Sequence, residues 1–184
     1  MNKCIFLDRD GTINVEVDYL YKKEDFLWEQ GAIEALFILK KLGYLLIVVT
    51  NQSGIARGKY TELDLKILHN YMQVELLDFG VSIDAFYYCP HHPEGIGEYA
   101  KACRCRKPEP EMLEQAIEKF DIDVTKSYIV GDKLSDCFAG ERVGVKGVLV
   151  RTGHGEQEDV IPVSILQERS LYTFAQYIRE KGES

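Results

Sequence analysis

The sequence predicts a Rossmann-like, three-layer α/β/α fold around a central parallel sheet. Three observations carry this. Short apolar runs rich in β-branched residues alternate with segments of helical periodicity, the pattern of strands joined by crossover helices. The run Leu45-Leu46-Ile47-Val48-Val49 is continuously apolar, as in a strand buried on both faces of a parallel sheet. Polar clusters stand at the ends of four predicted strands: Asp8/Asp10, Thr50/Asn51, Arg106/Lys107 just beyond the third, and Asp132/Lys133. In an open parallel sheet such ends share one edge, which is where ligands bind.

Lys3-Cys4-Ile5-Phe6-Leu7 is the first strand, and the chain turns at Gly11-Thr12. Residues 13–28 are polar and aromatic without clean periodicity, so they form an excursion over the strand end. Residues 32–42 are helical, with Ile33, Leu36, Phe37 and Leu42 near one face and Gly43 as the stop. The second strand follows at 45–49. Thr61 and Asp64 then open a long helix with Leu65, Leu68, Met72, Leu76 and Phe79 inward, closed by Gly80. Ala85-Phe86-Tyr87-Tyr88 is the third strand. Pro110 opens a helix carrying Met112, Leu113, Ala116, Ile117 and Phe120. Tyr128-Ile129-Val130 and residues 147–150 are the fourth and fifth strands, with a helix near 135–142 between them. Leu171, Phe174, Ala175 and Ile178 mark a closing helix.

The chain has 184 residues, 46% of them hydrophobic, which suits a single domain over 1–184 with a loop insertion at 89–105. A net charge of −8 argues against nucleic acid or an anionic membrane surface as partner. No apolar run approaches the ~20 residues of a membrane span. Lys3 leads directly into a strand, so no signal peptide is expected. Five cysteines, an odd and unevenly spread set, favour a reduced cytoplasmic protein over a disulfide scaffold. A small acidic domain without a large cap is compatible with a monomer.

The clusters suit phosphate-ester chemistry, in which anionic charge must be neutralised and the reaction split in two. Asp8 is the candidate nucleophile, through an aspartyl-phosphate. Asp10 is the candidate general acid/base, its pKa expected to be raised by burial and charge crowding. Asp132 and Asp136 supply carboxylates for a hard cation such as Mg²⁺. Thr50 and Lys107 would hold the phosphoryl oxygens. A separate cluster, Cys89-Pro90-His91-His92-Pro93 followed by Cys103-Arg104-Cys105, has donors and spacing suited to a closed, structural Zn²⁺ site. Cys89, His91, Cys103 and Cys105 are the expected ligands, with His91 preferred to His92. Folding this loop would fix Arg106 and Lys107 beside the phosphate.

Asp8-x-Asp10-Gly-Thr, Thr50-Asn51, Lys107 and Gly131-Asp132-x-x-x-Asp136 together resemble the four motifs of haloacid-dehalogenase (HAD) superfamily phosphatases. The resemblance implies the HAD fold with a minimal cap, and Mg²⁺ held by Asp8, the Asp10 carbonyl and Asp132. Asp136 would orient the metal shell or Lys133. The cysteine loop, with Asn14-Val15-Glu16-Val17-Asp18-Tyr19 and Thr50 to Gly58, narrows the likeness to the heptose bisphosphate and histidinol-phosphate phosphatase family. That family implies a small phosphorylated sugar as partner, with Glu16, Val17, Asp18, Tyr19, Asn51, Gln52, Ser53, Arg106 and Lys133 contacting it. Arg57 is a further candidate for a second phosphate. The implied function is removal of the C7 phosphate from heptose 1,7-bisphosphate in surface-polysaccharide precursor synthesis. Histidinol-phosphate hydrolysis is the alternative within the family. A phospho-acceptor signalling domain is disfavoured because Asp8 ends the first strand and is paired with Asp10. A zinc-binding interaction module leaves the strand-end clusters without a purpose.

Overall fold

The computed structural model describes residues 1–182. Its centre is a six-stranded sheet in the order β3-β2-β1-β4-β5-β6, with every neighbouring pair parallel. The strands are β1 (Cys4–Leu7), β2 (Leu45–Asn51), β3 (Ala85–Cys89), β4 (Tyr128–Gly131), β5 (Lys146–Val150) and β6 (Leu166–Glu168). The helices are α1 (Ala32–Lys41), α2 (Ser53–Ala56), α3 (Glu62–Leu77), α4 (Glu111–Phe120), α5 (Leu134–Glu141) and α6 (Leu171–Gly182).

Because successive strand residues point to opposite faces, the apolar runs split into two cores. Ile5, Leu7, Leu46, Val48, Val130 and Val148 meet Leu36 and Leu39 of α1, Leu68 and Met72 of α3, and Phe174 of α6. Cys4, Phe6, Ile47, Val49 and Ile129 meet Met112, Leu113 and Ala116 of α4 and Ala139 of α5. Burial on both faces explains why β1 and β2 read as unbroken apolar runs.

Two elements carry no sequence signal. β6 is a three-residue edge strand with one apolar residue, formed because Val148 to Val150 offer it a pairing register. The four-residue α2 is too short for periodicity to register. The inward face of α1 also differs from expectation. Ala32, Ala35, Leu36, Ile38 and Leu39 are buried, whereas Phe37 is 39% exposed, because α1 packs between the sheet and α6. Phe79 lies beyond the end of α3 and is 55% exposed. No helix among the described residues is long and apolar enough to cross a membrane.

The excursion at 13–28 folds back on itself. Val15 N–H donates to Leu27 O at 2.9 Å, Glu29 N–H to Ile13 O at 2.9 Å, and Leu20 and Phe26 are buried in the core. It therefore roofs the end of β1.

Candidate active site

β1 ends where Asp8 N–H donates to Val130 O at 2.9 Å. The chain then turns tightly, with Ile13 N–H on Arg9 O at 2.8 Å and Gly11 at φ +76°. A side chain at Gly11 would need both that left-handed backbone and room that Asp132 occupies, since its Cβ would fall 2.3 Å from Asp132 Oδ2. The turn thus brings the ends of β1 and β4 together. Asp8, Asp10, Thr50, Arg106, Lys107 and Lys133 all line one cleft of about 450 Å³, with Glu16 to Tyr19 and Asn51 to Ser53 forming its other walls. Asp132 lies beneath it, fully buried.

Lys107 anchors the floor. Its Nζ donates to Val49 O at 2.6 Å and lies 2.8 Å from Asp8 Oδ1 and 2.6 Å from Asp136 Oδ1. Burial opposes its charge, but Asp136 and Asp8 more than offset this and raise its pKa well above the usual lysine value. Asp136 pairs with this ammonium, and its Oδ2 accepts the Lys133 backbone N–H at 3.1 Å. Asp136 thus holds Lys133 by its backbone while also pairing with the Lys107 ammonium, a partner the sequence did not indicate. Gly131 makes that placement possible, since a Cβ there would meet Asp136 Oδ2 at 2.2 Å. Asn51 holds the lysine segment from above: its Nδ2 donates to Lys107 O at 3.1 Å and its Oδ1 accepts Lys107 N–H at 3.0 Å. Its amide is therefore committed to positioning.

The expected pKa of Asp10 is also corrected. Burial acts against its charge, but Arg9, Asn14 and Gln52 outweigh burial and bring its pKa below the usual carboxylate value. Arg9 Nη2 reaches Asp10 Oδ1 at 2.8 Å and Oδ2 at 2.9 Å, Asn14 Nδ2 donates to Oδ1 at 3.0 Å, and Gln52 Nε2 donates to Oδ2 at 2.9 Å. Charge crowding comes from the opposite sign. Gln52 Nε2 also donates to Thr50 Oγ1 at 2.8 Å, and its Oε1 accepts the Tyr60 hydroxyl. Glu16 is a carboxylate that burial and its neighbours Asp10 and Asp132 do push up, to about 7, and burial with Asp8 does the same to Asp136 against the pull of Lys107.

Asp8, Asp132 and Asp136 bring carboxylate oxygens within 4.8 Å of one another. Burial and Asp8 raise the Asp132 pKa, and Asp132 Oδ1 is buried without a hydrogen-bond partner among the described residues. A hard cation suits both the crowding and the vacant lone pairs, so the donor set fits Mg²⁺. The Cys89, His91, Cys103 and Cys105 donors also converge within 4.8 Å. The three Sγ atoms lie 3.2 to 3.4 Å apart without disulfides, and His91 Nδ1 is 3.3 Å from Cys105 Sγ. Zn–S bonds of ~2.3 Å give tetrahedral edges of roughly 3.8 Å, so this set fits zinc. Burial and Lys101 lower the His91 pKa, favouring the neutral imidazole that a ligand needs. His92 instead accepts Glu94 N–H at its Nδ1.

The loop touches the cleft where Arg106 Nη1 lies 3.5 Å from His91 O. Arg57 does not line the cleft. Its Nη2 lies 3.4 Å from Glu94 Oε2, bracing the cysteine loop. Arg9, Tyr60 and His154 are site residues that sequence reasoning missed. Arg9 sits between two paired aspartates, a weak signal, because alternation sends residues 8 and 10 one way and 9 the other. Tyr60 and His154 lie in loops with no motif around them.

Known proteins resemble this chain in sequence and fold. The HAD-hydrolase-like family pattern matches residues 104–169. D-glycero-beta-D-manno-heptose-1,7-bisphosphate 7-phosphatase of Pasteurella multocida is 51% identical over 160 residues, 86% of this chain and 87% of that protein. D-glycero-alpha-D-manno-heptose-1,7-bisphosphate 7-phosphatase of Photorhabdus laumondii is 45% identical over 96% of each chain. The crystal structure of D,D-heptose 1,7-bisphosphate phosphatase from B. bronchiseptica, complexed with magnesium and phosphate, superimposes with a TM-score of 0.88 at 31% identity, covering 97% of this chain and 99% of that one. Sequence and fold agree over nearly the whole length, and the chain belongs to the D-glycero-D-manno-heptose-1,7-bisphosphate 7-phosphatase family of HAD-like phosphoric monoester hydrolases.

Proposed function

We propose that the protein hydrolyses the C7 phosphate of D-glycero-D-manno-heptose 1,7-bisphosphate, leaving heptose 1-phosphate for surface-polysaccharide precursor synthesis. The observation that carries this is that cations beyond the one beside Asp8 share the cleft with its carboxylates. Lys107, Lys133 and Arg106 all face it, which suits a sugar with two phosphates. Histidinol phosphate, with one phosphate, would leave these further cations without an anionic partner.

Asp8 attacks the C7 phosphorus and forms an acyl phosphate as the bond to the sugar oxygen breaks. Asp10 gives its proton to that leaving oxygen, then takes one from the water that cleaves the acyl phosphate, returning Asp8 and releasing phosphate. Its depressed pKa suits the second half, in which it accepts a proton. For the first half, the incoming phosphoryl dianion places like charge beside it and pushes the pKa back up. Lys107 and Thr50 steady the phosphoryl oxygens, while Glu16 to Tyr19, Gln52, Ser53, Arg106 and Lys133 hold the sugar and the anomeric phosphate.

Asp8, the Asp10 carbonyl and Asp132 would hold Mg²⁺, which when bound neutralises phosphoryl charge. Cys89, His91, Cys103 and Cys105 would hold Zn²⁺ and keep the loop folded around Arg106. One chain supplies all these groups, so a single catalytic domain over 1–184, with 89–105 as its insertion, can carry the reaction as a monomer. A site built on three reduced thiols supports a cytoplasmic setting. The test is kcat/KM for both heptose bisphosphate anomers against histidinol phosphate. A heptose preference is expected, and a preference for histidinol phosphate would overturn the reading.

A further inference from the structure

The two oxygens of the buried Asp132 carboxylate have different surroundings. Oδ2 accepts two hydrogen bonds from one residue, the His154 backbone N–H at 2.8 Å and the His154 ring Nδ1 at 3.1 Å. Glycines press on the same oxygen, since a Cβ on Gly11 or Gly153 would lie 2.3 or 2.4 Å from it. Oδ1 has no hydrogen-bond partner among the described residues. An ionised carboxylate only accepts, so the ring presents Nδ1–H to it.

The loop after β5 delivers this residue. Thr152 Oγ1 donates to Gly11 O at 2.6 Å, Gly153 turns the chain at φ +55°, and Gly155 N–H closes on Thr152 O at 2.9 Å. His154 is thereby latched to the turn that carries Asp8 and Asp10. Glu16 Oε2 lies 3.6 Å from the same Nδ1, so the ring also bridges the excursion to Asp132.

We propose that His154 is a positioning residue for the catalytic cation. By occupying Oδ2 it sets the rotation of the Asp132 carboxylate, so that Oδ1 is the oxygen offered to the metal. This rests on the reading that Asp132 holds Mg²⁺. Without the ring, the backbone N–H alone remains, and the carboxylate regains rotational freedom that metal binding must then remove. Hydrogen bonds that orient metal-ligating groups are typically worth about 10–100-fold in metal affinity.

The experiment is calorimetric titration of zinc-replete protein with Mg²⁺, comparing the native chain with His154→Ala, His154→Asn and Asp132→Asn. His154→Ala should weaken Mg²⁺ binding about 10–100-fold. His154→Asn, whose amide N–H can stand in for Nδ1–H, should recover most of it. The His154 side chain is 41% exposed and far in sequence from the cysteine loop, so zinc content should stay unchanged in both variants and unfolding should stay cooperative. At saturating Mg²⁺, kcat of His154→Ala should return toward the native value, while the Mg²⁺ needed for half-maximal rate rises. Native affinity in His154→Ala, or an Asn variant as weak as the Ala variant, overturns the role of His154. Loss of binding in Asp132→Asn then leaves the Asp132 reading standing. Native Mg²⁺ affinity in Asp132→Asn overturns both.

Discussion

Lys107 Nζ sits 2.8 Å from Asp8 Oδ1, although 99 residues separate the two along the chain. The same ammonium lies 2.6 Å from Asp136 Oδ1, and all three groups are almost wholly buried. One cation therefore balances two carboxylates, and it serves both the phosphoryl site and the stability of the sheet edge.

Replacing Lys107 by Met should affect both. Loss of a preorganised charge donor typically lowers kcat by about 10²–10³-fold. Two buried carboxylates left without their cation should cost about 3–5 kcal/mol of stability. Steady-state kinetics and thermal unfolding check the two effects separately. Asp8→Asn should instead abolish turnover with little loss of stability, and appreciable residual turnover would argue against a nucleophilic role.

Arg9 is fully buried and grips Asp10 at both oxygens while its Nη2 donates to Leu20 O at 3.2 Å. Arg9→Met should lower stability by about 3–5 kcal/mol, because it strands the Asp10 charge. Arg9→Lys keeps the charge and loses the fork, so an intermediate effect is expected. Denaturant midpoints that do not fall in the order native, Lys, Met would contradict this account.

Tyr60 fixes which way the Gln52 amide faces, because its hydroxyl can only be donated to Oε1 while Nε2 serves Asp10 and Thr50. Tyr60→Phe should cost about 0.5–1.5 kcal/mol of stability. It should also reduce kcat more than KM rises. A double-mutant cycle with Gln52→Ala is the check: strongly non-additive kcat losses are expected, and additive ones would separate the two residues.

His69 gives the stability curve an acid limb. Burial and Arg9 push its pKa down to about 3 in the folded protein, against an unfolded value of about 6.5. Above about pH 6.5 both states are neutral and the residue adds no pH dependence. Between about 6.5 and 3 the unfolded chain binds a proton that the folded one refuses, so stability falls as pH falls, by up to about 1.4 kcal/mol per unit. His69→Phe should flatten that limb in urea titrations at pH 7, 5.5 and 4.5. An unchanged slope would remove His69 as its source.

The zinc loop supplies a metal-removal test. Cys105→Ser should lose the metal by elemental analysis and open residues 89–105 to limited proteolysis, while the sheet stays folded. Because Arg106 is braced on this loop, KM for a bisphosphate should rise more than kcat falls. Retained zinc in the variant would contradict the ligand assignment.

The order of β1 to β5 and of the longer helices, the edge that carries the site, and the Asp8, Asp10, Thr50, Lys107 and Asp132 positions were legible in the sequence, whereas β6 and α2 were not. So was the cysteine–histidine cluster. The reason is physical: periodicity writes local structure into short windows, and parallel strands send their ends to one edge whatever the details. What the tertiary structure alone decided depends on side chains meeting across long separations. Asp10 was expected to be raised and is lowered, because Arg9 turns back onto it within a buried network. Asp136 was expected to orient the metal shell or Lys133; it accepts the Lys133 backbone N–H and pairs with Lys107 as well. His154 had no motif at all, yet Gly11 and Gly153 leave room for Asp132 and His154 takes one of its oxygens. No window of sequence contains those distances. Charge sign and hydrogen-bond partner in a buried site are set by packing, and only the folded chain reveals which neighbour wins.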